Sequence, residues 1–211
     1  MGFYDKYFLP RFINCACGTK PIMKQREKVV PRAEGTVLEI GIGTGLNLPF
    51  YDPEKVERLI GLDPSEKSWE LAAKRAAHLD FDVEFIGLPG EEIPLHDASV
   101  DTVLVTYSLC TIPDPIAALR GMARVLRPGG KLIFCEHGRA PDARVVTWQD
   151  RINPVWRRLA GGCHLNRDIP GVLQQGGFEI SDLQQDYLPG TPKFAGFNYW
   201  GAALLAAPSQ S

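Results

Sequence analysis

The chain has 211 residues, of which 45% are hydrophobic and 23% are charged, and its formal net charge at pH 7 is -2. These values exclude a disordered chain, which combines few apolar residues with high charge, and the scattered charges offer no basic surface to a nucleic acid. The length suits one domain with a buried core. The amino-terminal "MGFYDKYFLPRF" carries charges where a signal peptide has an apolar core, so a cytoplasmic protein is expected.

Five cysteines are spread along the chain, at Cys15, Cys17, Cys110, Cys135 and Cys163. An odd number at these separations fits no disulfide framework, and reduced thiols are the simplest interpretation. The first two form a lone C-x-C without a second Cys/His pair at metal-ligand spacing. No metal site is therefore predicted.

Aromatic side chains recur every three to five residues near the amino terminus, which is typical of one side of a helix. They are Phe3, Tyr4, Tyr7, Phe8 and Phe12. Packing on the core explains them, and a lid over a ligand or a peripheral membrane contact is the alternative. We therefore divide the chain into an amino-terminal helical lid or cap, residues 1–35, and one domain, residues 36–211.

From residue 36 onward, short apolar runs typical of buried strands alternate with segments of helical spacing. The predicted strands are 36–40, 58–63, 82–86, 100–109 and 131–138, and the predicted helices are 46–55, 64–79 and 114–130. Such alternation predicts an α/β fold with a parallel sheet and helices on both faces. The last third adds helices at 141–159 and 168–176 and two strands, 178–188 and 194–206, that finish the sheet as a hairpin-like pair.

The strongest local signal is "EIGIGTGLN", residues 39–47, where an acid and three glycines follow a strand. A phosphate-binding P-loop is excluded, because it would end in Gly-Lys-Ser or Gly-Lys-Thr. A dinucleotide loop would read G-x-G-x-x-G, and here the third glycine comes one residue early, while Glu39 repels an anion. A ligand with a positive centre and no phosphate fits better, and S-adenosylmethionine is such a ligand.

Asp63 ends the second predicted strand about 20 residues after the glycines, where a carboxylate can accept both hydroxyls of a ribose. The alternative is a helix N-cap, because Pro64 follows and suits a first helical position.

Five segments in order resemble the class I S-adenosylmethionine-dependent methyltransferases: "VLEIGIGTG", "GLDPS", "EEIPLHDASVDTVLV", "RVLRPGGKLIFCEH" and the terminal strand pair. The resemblance implies a Rossmann-like, seven-stranded sheet that is mostly parallel, with the last strand antiparallel. It also implies the cofactor-binding residues, which are Glu39, Gly41, Gly43, Gly45, Asn47, Asp63, Pro64, Gly90, Glu91, Tyr107 and Leu109. The chain departs from the family at Pro89, where many members have Asp, so adenine recognition is assigned to Gly90 and to Glu91 or Glu92.

A narrower likeness covers nearly the whole chain. "SLCTIPDP", "FCEHGRAPD", "NPVWRRLAGGCHLNRDI" and "DYLPGTPKFAGFNYWGAA" are similar to bacterial small-molecule methyltransferases related to the methyltransferase-like-7 group. The animal members of that group methylate alkyl thiols and associate with membranes or lipid droplets. The resemblance therefore favours a small, hydrophobic thiol as the methyl acceptor.

His137 and His164 are the candidate general bases, and the alternative for each is a structural histidine. His137 is favoured, because it lies just past the fifth strand, and such sheets bind ligands at the carboxyl ends of their strands. A thiol acceptor needs a base less than an alcohol or an amine does. Aromatic residues of the last third suggest an apolar pocket for a small molecule, and Arg167 is one of several arginines that could hold an anionic group. The alternatives are an O- or N-methyltransferase of a small molecule or phospholipid head group, and a non-catalytic S-adenosylmethionine-binding module.

Overall fold

The computed structural model describes residues 17–207. The aromatic residues of the predicted cap, and Cys15 of the C-x-C pair, lie outside the described residues. The helices are α1 Lys20–Val29, α2 Glu66–Ala76, α3 Pro115–Val125, α4 Ala143–Leu159, α5 Ile169–Gln175 and α6 Lys193–Gly196. The strands are β1 Gly35–Ile40, β2 Val56–Leu62, β3 Asp82–Ile86, β4 Val100–Thr106, β5 Leu126–His137, β6 Phe178–Tyr187 and β7 Phe197–Leu205.

The seven strands form one sheet in the order β3-β2-β1-β4-β5-β7-β6. Strands β1 to β5 pair in parallel, and β7 runs antiparallel between β5 and β6. This arrangement confirms the fold inferred from the sequence. The order reverses at β1 and β4, so the carboxyl ends of these neighbouring strands border the crevice where open α/β sheets bind ligands.

The core occupies both faces of the sheet. On β4, Val103 and Val105 belong to one apolar cluster, whereas Leu104 between them belongs to the cluster on the opposite face. Successive side chains of a strand point to opposite faces, so a strand covered on both sides must be apolar throughout. This explains why the central strands read as unbroken apolar runs.

The predicted helix at 46–55 is wrong. The segment contains only a short 3₁₀ turn, Leu48–Phe50. Pro49 is tolerated in the first turn of a helix, but Pro53 excludes the residue before it from the helical region, so no longer helix can form. The chain instead wraps closely around the preceding glycines.

Several boundaries also differ from the prediction: the predicted strand 100–109 ends at Thr106, and the predicted helix 114–130 ends at Val125. Strand β5 begins at Leu126 rather than at 131, because Leu126 pairs with Val100 before an irregularity, and the regular register resumes at Lys131. Strand β7 begins at Phe197, after the helical turn α6, whereas the predicted strand began at 194. In contrast, the predicted helix at 168–176 is confirmed as α5, whose N-cap Asp168 accepts a hydrogen bond from the Gly171 amide.

Candidate active site

The glycine loop, residues 41–47, follows β1 at the centre of the sheet. Gly41, Gly43 and Gly45 have φ values of +74°, +51° and +73°. This left-handed region penalises residues with a Cβ, which explains why glycine occupies every second position. The three glycines nevertheless differ in what surrounds them.

Gly41 and Gly45 leave no space for a side chain. A Cβ on Gly41 would lie 2.1 Å from Ser108 Oγ, and one on Gly45 would lie 2.6 Å from Leu48 Cδ1. A Cβ on Gly43 would meet nothing closer than 3.8 Å, and one of its two neighbours is Asp63 Oδ2, at 3.9 Å. The bare backbone therefore serves packing at Gly41 and Gly45, and of the three glycines only Gly43, which is half-buried, has room for a Cβ.

Asp63 faces Gly43 across that space. Its Oδ2 accepts a hydrogen bond from the Gly43 amide at 3.0 Å, and its Oδ1 accepts one from the Ser65 amide at 2.8 Å. Burial raises the pKa of Asp63, against the lowering effect of these two amides. The N-cap of α2 is Ser65, whose side chain accepts from the Ser68 amide, so the N-cap alternative for Asp63 is wrong. Pro64 is exposed beside it.

Glu39 is 2% exposed, and protein donors engage both of its carboxylate oxygens. Asn47 Nδ2 donates to Oε1 at 2.8 Å, and the Tyr51 hydroxyl donates to Oε2 at 2.7 Å. Burial raises the pKa of Glu39, although these two hydrogen bonds oppose the rise. Glu39 and Asn47 thus tie the glycine loop to the turn that follows it.

Arg26 of α1 completes this buried network, and sequence reasoning missed it. Its Nη1 donates to Asn47 Oδ1 at 2.6 Å and to Thr106 Oγ1 at 2.7 Å. The guanidinium carbon lies 5.2 Å from the ring centroid of Tyr107, within cation-π range. Arg26 is 5% exposed, and its Nε has no hydrogen-bond partner among the described residues. Its position three residues before the buried Val29 on α1 was the available signal.

The two residues assigned to the adenine face the start of α3. Gly90 is buried, and a Cβ there would lie 2.9 Å from Ile112 Cδ1. Glu91 Oε1 accepts a hydrogen bond from the Asp114 amide at 3.2 Å. The carboxylate of Glu91 thus has a partner within the protein.

The loop after β4 contains the other two predicted cofactor residues. Tyr107 has a φ of +53°, a conformation that costs energy in a residue other than glycine, and its hydroxyl donates to Asn198 Oδ1 at 2.8 Å. The Leu109 side chain is fully buried in the core. Leu109 can therefore approach a ligand through its backbone alone.

Glu136, at the end of β5, holds this loop in place. It is fully buried, and it accepts hydrogen bonds from three successive amides, those of Ser108 at 2.7 Å, Leu109 at 3.0 Å and Cys110 at 3.3 Å. Burial raises the pKa of Glu136, while the amides oppose the rise. Sequence reasoning missed this residue, although an acid inside an apolar strand was a signal.

Arg167 and His164 fix the same loop from the opposite direction. Arg167 Nη1 donates to the carbonyls of Leu109 and, at 2.9 Å, of Ile112. The backbone amide of His164 donates to the Cys110 carbonyl at 2.8 Å. Burial lowers the pKa of the His164 imidazole, and Arg167 lowers it further. Arg167 thus stabilises the loop after β4. Within residues 17–207, no contact is found between the imidazoles of His164 and His137.

Cys110, His137 and Cys163 meet beside this loop, and we call them the sulfur cluster. His137 Nε2 lies 3.0 Å from Cys163 Sγ, and the two sulfur atoms are 3.9 Å apart. The indole nitrogen of Trp156 donates to Cys163 Sγ at 3.4 Å. These contacts join segments 53 residues apart in sequence, which no local pattern indicated.

Ionisation in the sulfur cluster favours a thiolate beside an imidazolium. The hydrogen bond from Cys110 lowers the pKa of Cys163 most, and the charge of His137 lowers it further against the opposing effect of burial. Burial would lower the pKa of His137, but the neighbouring Cys163 sulfur outweighs it and raises that pKa. The pKa of Cys135, which is buried on β5 outside the cluster, is raised by burial to about 12. The thiolate form is therefore favoured at Cys163 and disfavoured at Cys135.

Of the aromatic residues in the last third, Phe197 and Tyr199 belong to the core, whereas Trp148 is 58% exposed on α4. A depression of about 460 Å³ lies at the opposite, amino-terminal ends of the strands, beside the ion pair of Asp101 and Arg127. It is open and lined by charged groups, and parallel sheets bind ligands at the other end. We assign no ligand to it.

None of the helices within residues 17–207 combines the length and the apolar character needed to cross a bilayer.

Residues 38–134 match the family model described as a methyltransferase domain. The match identifies residues 38–134 as a methyltransferase domain. It is 35% identical over 159 residues to thiol S-methyltransferase TMT1B of Rattus norvegicus, a match that covers 74% of this chain and 64% of that protein. It is 39% identical over 170 residues to 27-O-demethylrifamycin SV methyltransferase of Amycolatopsis mediterranei, covering 78% of this chain and 62% of that protein. The chain thus spans less than two thirds of either relative.

The fold of the methyltransferase domain is shared with solved structures. An S-adenosylmethionine-dependent methyltransferase from Methanosarcina mazei superposes with a TM-score of 0.64 at 20% identity, covering 81% of this chain and 92% of that one. At this identity the likeness concerns the fold alone.

The residues around the glycine loop fit the family's cofactor. Gly43 leaves room beside its backbone amide, and the carboxylate of Asp63 borders that position. A carboxylate there suits the hydroxyls of a ribose, and a site without a phosphate-binding lysine suits a cationic sulfonium compound. These features belong to this chain and agree with the family assignment.

Proposed function

We propose that this protein transfers the methyl group of S-adenosylmethionine to the sulfur of a small, hydrophobic thiol. When bound, the cofactor supplies an electrophilic methyl group on a positively charged sulfur. The observation that carries the proposal is the pairing of two sites at the carboxyl ends of β1, β4 and β5. One is the open space at Gly43 and Asp63, and the other is the sulfur cluster.

The first site would hold the cofactor. Asp63 would accept hydrogen bonds from the ribose hydroxyls, Gly43 would allow close approach of the backbone, and Pro64 would flank the adenine. Glu39 and Asn47 would act indirectly, because their hydrogen bonds keep the glycine loop in its left-handed conformation. Gly90 and Glu91 would contribute to the adenine site through their backbone groups.

The amino-terminal segment, residues 1–35, would act as a cap on the methyltransferase domain. Arg26 supports this role because it reaches from α1 to both Asn47 and Thr106, at the ends of the two central strand-loop connections. A cap that excludes water favours methyl transfer, because the reaction depends on alignment in a site without bulk solvent.

A thiol acceptor agrees with the groups present on the acceptor side. The nearest carboxylate, that of Glu136, is occupied by three amides and is poorly placed to serve as a base. A thiol is acidic by comparison with an alcohol and can lose its proton to solvent, so it does not need a free carboxylate at this site. The imidazole of His137 would lie beside the acceptor sulfur, while Tyr107 and the buried Leu109 would shape the wall between the two sites.

The test is calorimetric titration with S-adenosylmethionine and S-adenosylhomocysteine, followed by a turnover assay with alkyl thiols, phenols and amines. Micromolar binding and thiol-dependent formation of S-adenosylhomocysteine are expected. Turnover with phenols or amines but not thiols would shift the assignment to an O- or N-methyltransferase. Binding without turnover of any acceptor would indicate a binding module, and absence of binding would contradict the whole proposal.

A further inference from the structure

The sulfur cluster holds three metal-binding side chains whose ligand atoms converge. One ligand atom from each of Cys110, His137 and Cys163 lies within 4.8 Å of the other two. They come from three separate segments: the loop after β4, the end of β5 and the segment after α4. Packing alone does not require two thiols and an imidazole at one point. We propose that these residues form a zinc site with one open coordination position.

The sulfur–sulfur distance matches that of a tetrahedral zinc site, and the sulfur–nitrogen distance is about half an ångström shorter. With Zn–S of about 2.3 Å and Zn–N of about 2.0 Å, two sulfur ligands lie about 3.8 Å apart, and sulfur and nitrogen lie about 3.5 Å apart. The observed separations are 3.9 Å between Cys110 and Cys163 and 3.0 Å between Cys163 and His137 Nε2. The imidazole needs to retreat by about half an ångström to admit the ion.

The donor set selects the metal. Two thiolates and one imidazole are ligands that zinc prefers, whereas magnesium and calcium require oxygen. Two thiolates also balance the charge of a divalent ion, so the occupied site places no net charge in this half-buried position.

Hydrogen bonds around the cluster are those expected of zinc-bound thiolates. Trp156 donates to Cys163 Sγ at 3.4 Å, and the hydroxyl of Thr111 lies 3.5 Å from Cys110 Sγ. Outer contacts of this kind orient metal ligands and tune their basicity. His137 Nδ1, in contrast, is buried and has no hydrogen-bond partner among residues 17–207. The contact that positions the imidazole is therefore the one between its Nε2 and Cys163 Sγ.

The number of ligands indicates a reactive site rather than a structural one. Among the residues that the structure describes, no fourth His, Cys, Asp or Glu joins the group. Structural zinc sites use four protein ligands, while catalytic sites use three and leave the fourth position to water or substrate. Two cysteines, one histidine and an open position form such a catalytic set.

The open position would take the acceptor thiol, and this part rests on the proposed function. The thiol would lose its proton to solvent, its sulfur would form the bond to zinc, and the zinc-bound water would leave. The product is a zinc-held thiolate, fixed beside the loop that carries Tyr107 and Leu109. Zinc would thus select sulfur over the oxygen and nitrogen of competing acceptors.

The experiment measures metal in the full chain, without cofactor or turnover. Protein equilibrated with zinc and passed through a desalting column is analysed by mass spectrometry for metal content, and a cobalt-loaded sample is examined by absorption spectroscopy. One equivalent of zinc, with thiolate-to-cobalt charge-transfer bands and tetrahedral d–d bands, is expected. Wild-type protein that retains no zinc and shows no thiolate-cobalt band would overturn the proposal, as would a Cys110–Cys163 disulfide found in its place.

Variants locate the site. Cys163→Ala and His137→Ala are expected to reduce retained zinc by at least about tenfold, while Cys135→Ala, a buried thiol two residues from His137, is expected to retain it. Equal loss in Cys135→Ala would contradict the assignment. If a cluster variant fails to fold by circular dichroism, titration of the wild type with a colorimetric zinc chelator still decides between one tight site and none.

The thiol step is tested with 2-mercaptoethanol added to the cobalt-loaded wild type. A new charge-transfer band supports the open position, and an unchanged spectrum shows that the fourth position is closed.

Failure of the proposed function is distinguishable from failure of this site. Zinc retention without S-adenosylmethionine binding would leave the metal site standing, and cofactor binding without zinc would leave the methyltransferase standing.

Discussion

The glycine loop and the sulfur cluster lie at the same end of the sheet, but they are built in different ways. Gly43 and Asp63 are 20 residues apart and are joined by one hydrogen bond across two adjacent strands. Cys110 and Cys163 are 53 residues apart, and they meet because the chain returns to the sheet after α4. The first site is made by one supersecondary unit, whereas the second depends on the packing of the whole domain.

The comparison makes a strong prediction at Gly43, where the largest effect is expected. In Gly43→Val, a branched side chain fills the only open space among the three loop glycines, so binding of S-adenosylmethionine should be lost while the fold is retained. Titration calorimetry measures the binding and circular dichroism the fold.

Gly129→Val is the matched control for the strain that a side chain causes at a positive φ. Gly129 also has a positive φ, +82°, and open space around its missing Cβ, but it lies in β5 at the opposite end of the sheet. This variant should suffer similar backbone strain and still bind the cofactor. Global unfolding of Gly43→Val alone would show that Gly43 is structural rather than ligand-facing.

The next largest effect is expected for Asp63→Ala. Loss of hydrogen bonds to a carboxylate should weaken cofactor binding by about 1.5 to 3 kcal/mol, which is about 10- to 150-fold in Kd. Calorimetric titration gives this difference directly. A Kd equal to that of the wild type would refute the ribose role.

Arg26→Met tests whether the contacts between α1 and the glycine loop stabilise the fold. The substitution leaves Asn47 Oδ1 buried without its donor, while Thr106 Oγ1 keeps the hydrogen bond from Asn47 Nδ2, and the loss should lower the free energy of unfolding by about 1 to 3 kcal/mol. Urea denaturation measures the loss. An unchanged midpoint would show that residues 1–35 are not coupled to the loop, and would separate the cap from the site.

The smallest expected effect is on the pH dependence of binding. Burial raises the pKa of Asp63 above its ordinary 3.8. Its contribution to folding stability is therefore fully present below pH 3.8 and is lost as the pH rises through the raised pKa. Cofactor binding has the opposite trend, because the ribose requires the ionised form, so affinity should fall as the pH drops through that same pKa. In Asp63→Asn, calorimetry across a pH series should show no such inflection, and an identical inflection would assign it to another group.

Sequence reasoning predicted the strands, the main helices and the position of the glycine loop, because each is encoded by neighbours in the chain. It could not separate the roles of the three glycines, since the atoms that crowd Gly41 and Gly45 come from Ser108 and Leu48. It predicted no metal site because it searched for ligands at short spacing, whereas the sulfur cluster is assembled by tertiary packing. It missed Arg26 and Glu136 because burial of a charge depends on partners that are remote in sequence.

Glu136 also decides which molecules the acceptor side can tolerate. Three successive amides aimed at one point form a nest, a common binding site for phosphates and carboxylates. In this protein the nest already contains the carboxylate of Glu136, so its donors are taken by an anion that belongs to the chain. A second anion would find no free amide here and would be repelled by the first. The three amides of this loop are therefore already occupied by an anion of the chain itself and are not available to bind one from solution.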